Sequence, residues 1–582
     1  MDEQLTFDFI KRPTIKGYPE LRWTGKRPFK FTQYYPAQLR ERYGEEVNGW
    51  INKIFWGDNL QVMGHLMSEY NGMIDLIYID PPFDSKADYK KRIEIKDLGK
   101  AESDSNSFEE KQYGDIWIND EYLQFMYERL IVMYNLLSKS GNIYLHCDYH
   151  KSHYLRMLLD DVFGAENFKN EILWCYSIGG KGDRFFGRKH DTLLWYSKSS
   201  NYYFDGKSPL VVTQRKANSH MKTKKDENGR EYQEKKDKKT GKIYRYYVDE
   251  GKIPEDYWTD IEQLNREDAE RLGYPTQKPE KLLQRIIASS SPQNGIVFDC
   301  FMGSGTTQAV AMKLGRRFIG ADINMGAIQT TTKRLLSVRS ELKSTLQEEI
   351  KYTGFEIYNV NNYDFFRNPV EARNLIIQAL EIQAFPQNDV WDGELDGRMV
   401  KIMPVNRIAT KADLEELKAN LPYKTYEKRK TESPNQPVER ITIVCMGHEP
   451  DLKASLEQEL SEYKLDIEIV DILRDKKDLQ LKREAEAEVV KEGGKLVIRS
   501  FYPMNLMQKL SIQREYIEDW RQLVEAIMID WNYDGAVMQP EVTDVSDKKE
   551  MVSGVYDIPE SAGTIRVKIT DLLSESLEVE VK

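Results

Sequence analysis

The stretch GIVFDCFMGSGTTQAVAMKLGRRFIGADIN, residues 295–324, decides the fold that we expect. Its pattern is typical of a strand, a glycine turn, a helix and a second strand. The strands end at Asp299 and Asp322, and the turn contains Gly303 and Gly305. Glycines let backbone N–H groups approach a ligand at a helix N-terminus, and an acid at the end of the next strand can bind both ribose hydroxyls. The unit therefore predicts a nucleoside cofactor.

The turn differs from the two best-known glycine motifs. Two threonines follow GSG at 303–305, where the dinucleotide fingerprint has a third glycine. No lysine follows the glycines, as a P-loop requires. A short Gly-x-Gly alone is often only a tight turn, so the interpretation depends on the flanking strands and on Asp322.

A second motif lies upstream, in DLIYIDPPF at residues 75–83. Leu76, Ile77 and Ile79 surround a tyrosine without any turn former, which predicts a buried strand. An acid, two prolines and an aromatic ring follow directly. Asp-Pro-Pro is a common turn, but an acid at a strand end that faces a cofactor turn is typical of a catalytic site.

Together, DCFMGSGTT at 299–307 and DPPF at 80–83 resemble the amino-methylating DNA methyltransferases that use S-adenosylmethionine. The order of the two motifs resembles the β-type arrangement of that family. The resemblance covers roughly residues 50–340, and the stretches QYGDIW, YLHCDYHKSHYLR and DYWTDI resemble type III modification subunits in particular. It implies a Rossmann-like sheet covered by helices, with double-stranded DNA as the substrate.

The resemblance also implies a set of cofactor-binding residues. GDN at 57–59 resembles the position whose acid meets the adenine of the cofactor, and GYPTQKPEKLLQRII at 273–287 resembles a helix start that contacts the cofactor. The candidates are Asp58, Thr276, Lys278, Asp299, Phe301, Gly303, Ser304, Gly305, Thr306 and Asp322. Asp58 as a helix cap and Lys278 as a solvated lysine are the alternatives.

The DPPF residues suit attack by an exocyclic amine, which is a poor nucleophile because its lone pair is delocalised. Asp80 and the carbonyl of Pro81 would each accept an amino proton and stabilise the charge that develops on nitrogen. Pro82 completes a rigid turn that aims these acceptors, and Phe83 offers a stacking face for a base flipped out of the duplex. No metal is needed, and the absence of a Pro-Cys dipeptide argues against cytosine-C5 methylation.

Strand and helix patterns alternate along the chain, which predicts an α/β fold. We expect a long polar loop at 93–115 and then a helix that is capped by Asn119 or Asp120 and ends just before Gly141. The predicted divisions are an N-terminal arm (1–50), the catalytic half (51–200), an inserted target-recognition segment (201–272), the cofactor-binding half (273–340) and an acidic α+β region of unknown role (341–582).

Charge is distributed unevenly around the net value of −11. Residues 341–582 contain 32 Lys and Arg against 47 Asp and Glu, whereas residues 213–247 contain 12 against 5. Lysines beside tyrosines suit phosphate and ring contacts, so the insert is expected to bind DNA, although a solvated lysine-rich loop is the alternative. Its nucleic-acid-binding candidates are Lys222, Lys224, Lys225, Tyr244 and Tyr246.

Composition limits the class of protein. No run of eighteen apolar residues occurs, and the N-terminus is acidic, unlike a secretory signal. The four cysteines are scattered, which argues against a disulfide framework and a structural zinc site and favours the cytoplasm.

The leading hypothesis is a site-specific adenine-N6 DNA methyltransferase, since an acid at the head of the tetrad resembles the adenine-directed members of the family. It would be the modification component of a restriction-modification or defence system. We expect the protein to form a homodimer or to bind a restriction or other defence subunit. The alternatives are a cytosine-N4 enzyme, an RNA methyltransferase and a non-catalytic DNA-binding subunit.

Overall fold

The computed structural model describes most of the chain. The described residues are 6–9, 20–82, 91–95, 99–103, 119–177, 184, 186–214, 221–265, 267–272, 274, 276–344, 352–360, 373, 376–377, 380, 382–385, 390–403, 409, 411–432, 436–445, 448, 452–471, 485–509, 519–546, 550–572 and 575–581.

Residues 6–360 form the strands and helices of an α/β unit. The strands are β1 (Thr6–Asp8), β2 (Phe31–Gln33), β3 (Ala37–Tyr43), β4 (Asn52–Trp56), β5 (Ile74–Ile79), β6 (Lys91–Ile95), β7 (Gly99–Ser103), β8 (Leu137–Cys147), β9 (Phe168–Cys175), β10 (His190–Ser197), β11 (Thr223–Lys225), β12 (Glu231–Lys236), β13 (Ile243–Tyr247), β14 (Tyr257–Trp258), β15 (Ile296–Asp299), β16 (Arg317–Asp322) and β17 (Phe355–Val360). The helices are α1 (Asn59–Tyr70), α2 (Asn119–Leu136), α3 (Ser152–Phe163), α4 (Glu280–Ser290), α5 (Thr306–Lys313) and α6 (Met325–Ser344).

A ten-stranded sheet forms the centre of this unit, in the order β14-β9-β10-β8-β5-β15-β16-β4-β17-β3. The strands from β8 to β17 in that order are parallel, and the neighbouring β10 and β3 run antiparallel to them. From β5 the chain crosses through α2 to β8 on one side, and from β15 it crosses through α5 to β16 on the other. The border between β5 and β15 is therefore a topological switch point, where doubly wound sheets bind ligands.

Helices cover both faces of the sheet, as predicted for an α/β fold. Ile77 and Ile79 of β5 pack in the cluster that contains α1, α2 and α3. Leu76 and Tyr78 face the opposite cluster, which contains α4, α5 and α6. Burial on both faces explains why the strand is a continuous apolar run, and each fully buried large apolar side chain contributes roughly 1.5–3 kcal/mol.

Three features differ from the sequence expectation. The helix predicted to end just before Gly141 ends at Leu136, because the following residues join β8 and pair with β5. Within the predicted loop at 93–115, β6 and β7 form an antiparallel pair, and the other residues of that loop lie outside the described residues. The central sheet also includes β3 and β17, which fall within the predicted N-terminal arm and beyond residue 340.

The insert contains a small antiparallel sheet, β11-β12-β13. After it, β14 pairs in parallel with β9 at the border of the central sheet. The chain thus leaves the central sheet after β10, forms a separate sheet and returns before α4.

The C-terminal region contains two further units. The first has the strands β18 (Gln383–Ala384), β19 (Gly393–Leu395), β20 (Arg398–Ile402), β21 (Glu439–Cys445) and β22 (Leu465–Asp471) and the helices α7 (Lys411–Asn420), α8 (Tyr423–Glu432) and α9 (Leu452–Glu459). The second has β23 (Glu486–Glu492), β24 (Lys495–Tyr502), α10 (Met504–Lys509), β25 (Val524–Asp530), β26 (Val542–Val545), β27 (Val555–Asp557), β28 (Ile565–Asp571) and β29 (Ser576–Val581). The sheets β23-β24-β27 and β26-β25-β28-β29 of the second unit share one apolar core.

The second unit packs against β3, the last strand of the central sheet. The backbone of Met538 accepts a hydrogen bond from Arg42 N–H at 3.0 Å and donates one to Arg40 at 2.9 Å. The buried ammonium of Lys568 pairs with the buried carboxylate of Glu41. The outer edge of β3 is therefore covered by the chain itself.

The described residues contain neither a candidate membrane-spanning helix nor a candidate metal site. Among the helices in this part of the chain, none is both long and apolar enough to cross a membrane. Within the same residues, no three His, Cys, Asp or Glu side chains are grouped to hold a metal ion.

Candidate active site

Four neighbouring strands bring acids to one edge of the central sheet. Asp80 follows β5, Asp299 ends β15, Asp322 ends β16, and Asp58 follows β4. These strands are parallel, so their carboxyl ends lie together. A cleft opens there, lined by three of the acids, Asp80, Asp299 and Asp322.

The glycine turn has a backbone that only glycine adopts easily. Gly303 has φ of 50° and Gly305 has φ of 70°, both left-handed. A Cβ at Gly303 would lie 3.2 Å from the ring of Tyr274, and one at Gly305 would lie 2.6 Å from Thr331. Gly305 is the N-cap of α5, so the turn presents the N-terminus of that helix to the cleft. Glycine is thus required at both positions by the left-handed backbone and by the close approach of Tyr274 and Thr331.

Asp322 is buried at the end of β16. Its carboxylate accepts hydrogen bonds from Gly303 N–H at 2.9 Å and Asn324 N–H at 2.8 Å. Burial raises the pKa of Asp322 to about 7, and the neighbouring charge of Asp299 adds to the shift. The backbone bonds oppose the shift, because they favour the ionised form. Asp322 therefore takes up a proton at a higher pH than a solvent-exposed aspartate does.

Asp299 is equally buried. It accepts hydrogen bonds from Thr307 Oγ1 at 2.6 Å and Phe301 N–H at 3.0 Å. Burial raises the pKa of Asp299 to about 7, and the charge of Asp80 also raises it. The carboxyl group thus fixes the shape of the turn at the cleft floor.

Asp80 and Lys278 meet across the cleft, although 198 residues separate them in the chain. The Lys278 ammonium bonds Asp80 Oδ2, and both side chains are largely buried. Among the described residues, no group bonds the buried Asp80 Oδ1. Asp80 therefore keeps one carboxylate oxygen for another hydrogen bond. This contact also excludes the reading of Lys278 as a freely solvated lysine.

A buried arginine holds the start of α4 against the glycine turn. Arg334 donates to Thr306 Oγ1 at 2.8 Å and to Glu280 at 3.0 Å. Thr306 in turn donates to the carbonyl of Lys278 at 3.3 Å. Thr276, two residues earlier, has a left-handed φ of 62° and lines the cleft. The predicted residues before α4 are thus fixed beside the turn.

Asp58 is a helix cap, the alternative role that the sequence suggested for it. It caps α1 by accepting hydrogen bonds from Leu60 N–H at 2.9 Å and Gln61 N–H at 3.3 Å. Its other oxygen accepts from Arg129 at 3.0 Å. The next residue, Asn59, lines the cleft.

The other predicted residues fall into three groups. Phe301, Gly303, Ser304, Thr306 and Pro82 line the cleft with the acids. Pro81 is buried beside Asp80. Phe83 lies outside the described residues.

Sequence reasoning missed several residues of the cleft. Tyr78 lines it and lies two residues before Asp80, at a spacing that the alternation of a strand would have indicated. The cleft is also lined by Asn59, Tyr274, Gln277, Cys300, Met302, Thr307 and Ile323. His146, which sequence reasoning did not place in a site, lies behind Tyr78 and is hydrogen-bonded to it.

The predicted nucleic-acid-binding residues lie on the insert sheet or next to it. Lys222 precedes β11, and Lys224 and Lys225 lie within it. Lys224 pairs with Glu234, and Lys225 pairs with Glu231 at 3.5 Å, yet both lysines stay well exposed. Tyr244 is exposed and Tyr246 is half-buried, both on β13. The strand registers put Lys225, Tyr244 and Tyr246 on one face of the sheet and Lys224 on the other. The sheet is thus basic and aromatic, with part of its charge held in exposed ion pairs.

Comparison with known proteins gives a family match over residues 74–333, to the family described as DNA methylase. The chain is similar to the type II methyltransferase M1.MboII of Moraxella bovis, with 30% identity over 279 residues that cover 47% of this chain and 92% of that protein. It is 28% identical to the DNA adenine methyltransferase YhdJ of Escherichia coli (strain K12) over 296 residues, 50% of this chain and 84% of that protein. Among solved structures, the cytosine-N4-specific PvuII DNA methyltransferase aligns with a TM-score of 0.32 and 17% identity, covering 51% of this chain and 90% of that one.

Proposed function

The chain belongs to the DNA methylase family, and we propose that it methylates the N6 amine of an adenine flipped out of double-stranded DNA. The methyl donor is S-adenosylmethionine. The observation that carries the proposal is the position of Asp80 in the same cleft as the glycine turn, at the switch point between β5 and β15.

The residues of the cleft fit the donor. When bound, S-adenosylmethionine supplies an electrophilic methyl group on a positively charged sulfur. The Gly303 and Gly305 turn brings the N-terminus of α5 to the cleft, and Asp322 is an acid suited to the two ribose hydroxyls. Thr276, Lys278, Asp299, Phe301, Ser304 and Thr306 complete the proposed cofactor-binding set, with Asp58 at the helix cap behind Asn59.

Asp80 is proposed to orient the substrate amine. Its Oδ1 is the oxygen not taken by Lys278, so it is the proposed acceptor for one amino hydrogen. The carbonyl of Pro81 is the proposed acceptor for the other, and Pro82 and Phe83 are proposed to hold the turn and stack on the base. Acceptors fixed before the reaction stabilise the developing positive charge without reorganisation. The acid at this position and the name of YhdJ both favour adenine.

The insert is proposed to bind the DNA backbone. Lys222, Lys224 and Lys225 would neutralise phosphates, and Tyr244 and Tyr246 would contact rings. An exposed ion pair such as Lys224 with Glu234 is weak, so a phosphate can replace the glutamate at little cost.

We assign the enzyme to the modification component of a restriction-modification or defence system, acting in the cytoplasm where its DNA substrate lies. M1.MboII, which is named a type II methyltransferase, supports the first part. The C-terminal region is the proposed contact for a second copy or a defence subunit. Because its second unit covers β3, such a contact would use another face.

Incubation of DNA with labelled S-adenosylmethionine, followed by digestion to nucleosides, tests the reaction. N6-methyladenine is expected, and Asp80→Ala should abolish it. Asp75→Asn is the matched control, because Asp75 lies at the opposite end of β5 and bonds Ile296 N–H at 2.9 Å away from the cleft. N4-methylcytosine as the product would refute the adenine assignment, and preferential methylation of RNA would refute the DNA assignment. If no methyl group is transferred, the proposal that the protein is an enzyme is refuted.

The salt dependence of DNA affinity tests the insert. Replacing Lys222, Lys224 and Lys225 by alanine should reduce the slope of log affinity against log salt by about 0.9 for each lost phosphate contact. Alanine at three exposed lysines of α8, Lys424, Lys428 and Lys430, is the matched control. An unchanged slope in the insert variant would refute its role.

A further inference from the structure

A buried chain of hydrogen bonds leads away from the cleft behind Asp80. Tyr78 lines the cleft, and its hydroxyl lies 2.9 Å from His146 Nδ1. His146 Nε2 lies 3.1 Å from Asp191 Oδ2. Tyr176 donates to the other oxygen of Asp191 at 3.1 Å. Four side chains from β5, β8, β10 and the residue after β9 are thus connected in one line.

The direction of each bond follows from the groups involved. The hydrogen bonds from His146 and Tyr176 lower the pKa of Asp191 despite its burial, so its carboxylate is ionised and only accepts. His146 Nε2 must then donate to it. In the neutral ring Nδ1 is left as an acceptor, and the Tyr78 hydroxyl donates to it. The lone pairs of Tyr78 remain available to a group in the cleft.

This order is the arrangement in which a carboxylate and an imidazole activate a hydroxyl. His146 is fully buried and Tyr78 is 2% exposed, so the bonds are shielded from water. Tyr78 is the penultimate residue of β5, Asp80 follows the strand directly, and both residues line the cleft. The activated hydroxyl therefore lies next to the proposed acceptor of the substrate amine.

The reaction requires a place for one proton. Methylation of an exocyclic amine forms a C–N bond as the methyl group leaves sulfur, and the nitrogen loses one N–H proton as that bond forms. Asp80 has one oxygen bonded to Lys278, so it is already committed to an ion pair. We propose that Tyr78, His146 and Asp191 form a relay that removes the proton released by the substrate amine. The inference rests on the proposed methyltransferase function.

The proton balance of the relay is complete. Tyr78 Oη takes the proton from the substrate nitrogen as the C–N bond forms, while its own proton passes to His146 Nδ1. The resulting imidazolium is bonded to the Asp191 carboxylate, which stabilises its charge. After product release the proton returns to solvent and the neutral relay is restored.

Several other charged or titratable groups surround the relay. They are Asp80 from the β5 end, Asp299 from β15, Glu171 from β9, Cys147 and Asp148 from β8 and its end, and Lys278 from the segment before α4. A pH profile must therefore be compared between variants and not interpreted alone.

Single-turnover methylation at saturating DNA and S-adenosylmethionine, measured from pH 5.5 to 9, tests the inference. In the wild type the rate should depend on pH, because the relay accepts a proton during the reaction. Tyr78→Phe and His146→Gln should lower the rate at pH 8 by about 100-fold, the usual effect of losing one acid-base group. They should also change the pH profile, while the affinity for S-adenosylmethionine changes little.

Tyr144→Phe is the matched control. It also removes a buried tyrosine hydroxyl, from the neighbouring strand β8, but that hydroxyl bonds Ser290 at 2.8 Å and does not line the cleft. Thermal melting and cofactor-binding calorimetry give the folded fraction of each variant. If His146→Gln does not fold, Tyr78→Phe tests the same relay, because this change removes only one oxygen atom.

The outcomes separate the two proposals. If the wild type transfers no methyl group to DNA, the proposed function is refuted and the relay with it. If the wild type is active but Tyr78→Phe keeps its single-turnover rate within twofold and its pH profile unchanged, the relay alone is refuted. A lower melting temperature with an unchanged rate per folded molecule would likewise show that the relay residues have only a structural role.

Discussion

Binding of S-adenosylmethionine should strengthen as the pH rises through neutrality. The pKa of Asp322 is about 7 in the cofactor-free protein. The ionised carboxylate accepts hydrogen bonds from two ribose hydroxyls, whereas the protonated group must use one oxygen as a donor. Binding therefore favours the ionised form and requires loss of a proton from the acid at low pH.

The size of the effect follows from that pKa. A group with a pKa of 7 is about one-tenth ionised at pH 6 and about nine-tenths ionised at pH 8. The apparent Kd should be about tenfold higher at pH 6 than at pH 8, which corresponds to about 1.4 kcal/mol. Above pH 8 the affinity should level off, because the carboxylate is then almost fully ionised.

Isothermal titration calorimetry at constant ionic strength, from pH 5.5 to 8.5, measures this change. Asp322→Asn should bind more weakly and with no dependence on pH in this range. Asp299→Asn is the second variant, because the charge of Asp299 is one cause of the raised pKa of Asp322. It should move the midpoint to lower pH and retain the slope. A wild-type Kd that stays constant between pH 6 and 8, or a slope that survives in Asp322→Asn, would refute the reasoning.

Two further predictions concern stability, measured by chemical denaturation. Gly305→Ala should cost at least about 3 kcal/mol, because a left-handed alanine costs about 1–2 kcal/mol and its Cβ would also overlap Thr331 at 2.6 Å. Gly397→Ala, with φ of 73° and nothing within 4 Å of its Cβ, should cost only the first part, and equal losses would contradict the overlap. Lys568→Met should destabilise the protein by about 3–5 kcal/mol because it leaves the Glu41 carboxylate buried without its cation, and adding Glu41→Gln should restore most of the loss. A double variant no more stable than the single one would show that the charge of Glu41 is not the cause.

The local elements of the α/β unit were accessible from sequence. Hydrophobic periodicity and turn residues predicted β15, the glycine turn, α5 and β16 in order, since each depends on neighbours within a few residues. The α2 boundary was wrong, because pairing with β5 takes the chain into β8 immediately after Leu136. Helix propensity depends on nearby residues, so it could not predict that the residues before Gly141 pair with the distant strand β5.

The candidate site was only partly accessible. Asp80, Asp299 and Asp322 were predicted because each follows an apolar strand, and they line one cleft. The contact of Lys278 with Asp80 and the line from Tyr78 to His146 were not predictable, because they join strands and segments far apart in the chain. No local pattern distinguishes a histidine that packs from one that bonds a cleft tyrosine.

By itself, the sequence determined the strand-turn-helix units, the acids at their ends, and through two motifs the family of the chain. The tertiary structure decided which of these ends meet. Strand order in the sheet puts β5 beside β15, and the fold brings Asp80 to Lys278 although 198 residues separate them. The position of β10 beside β8 likewise brings Asp191 to His146. The physical reason is that periodicity reports whether a residue is buried, whereas the identity of its neighbour depends on the summed packing of the whole sheet.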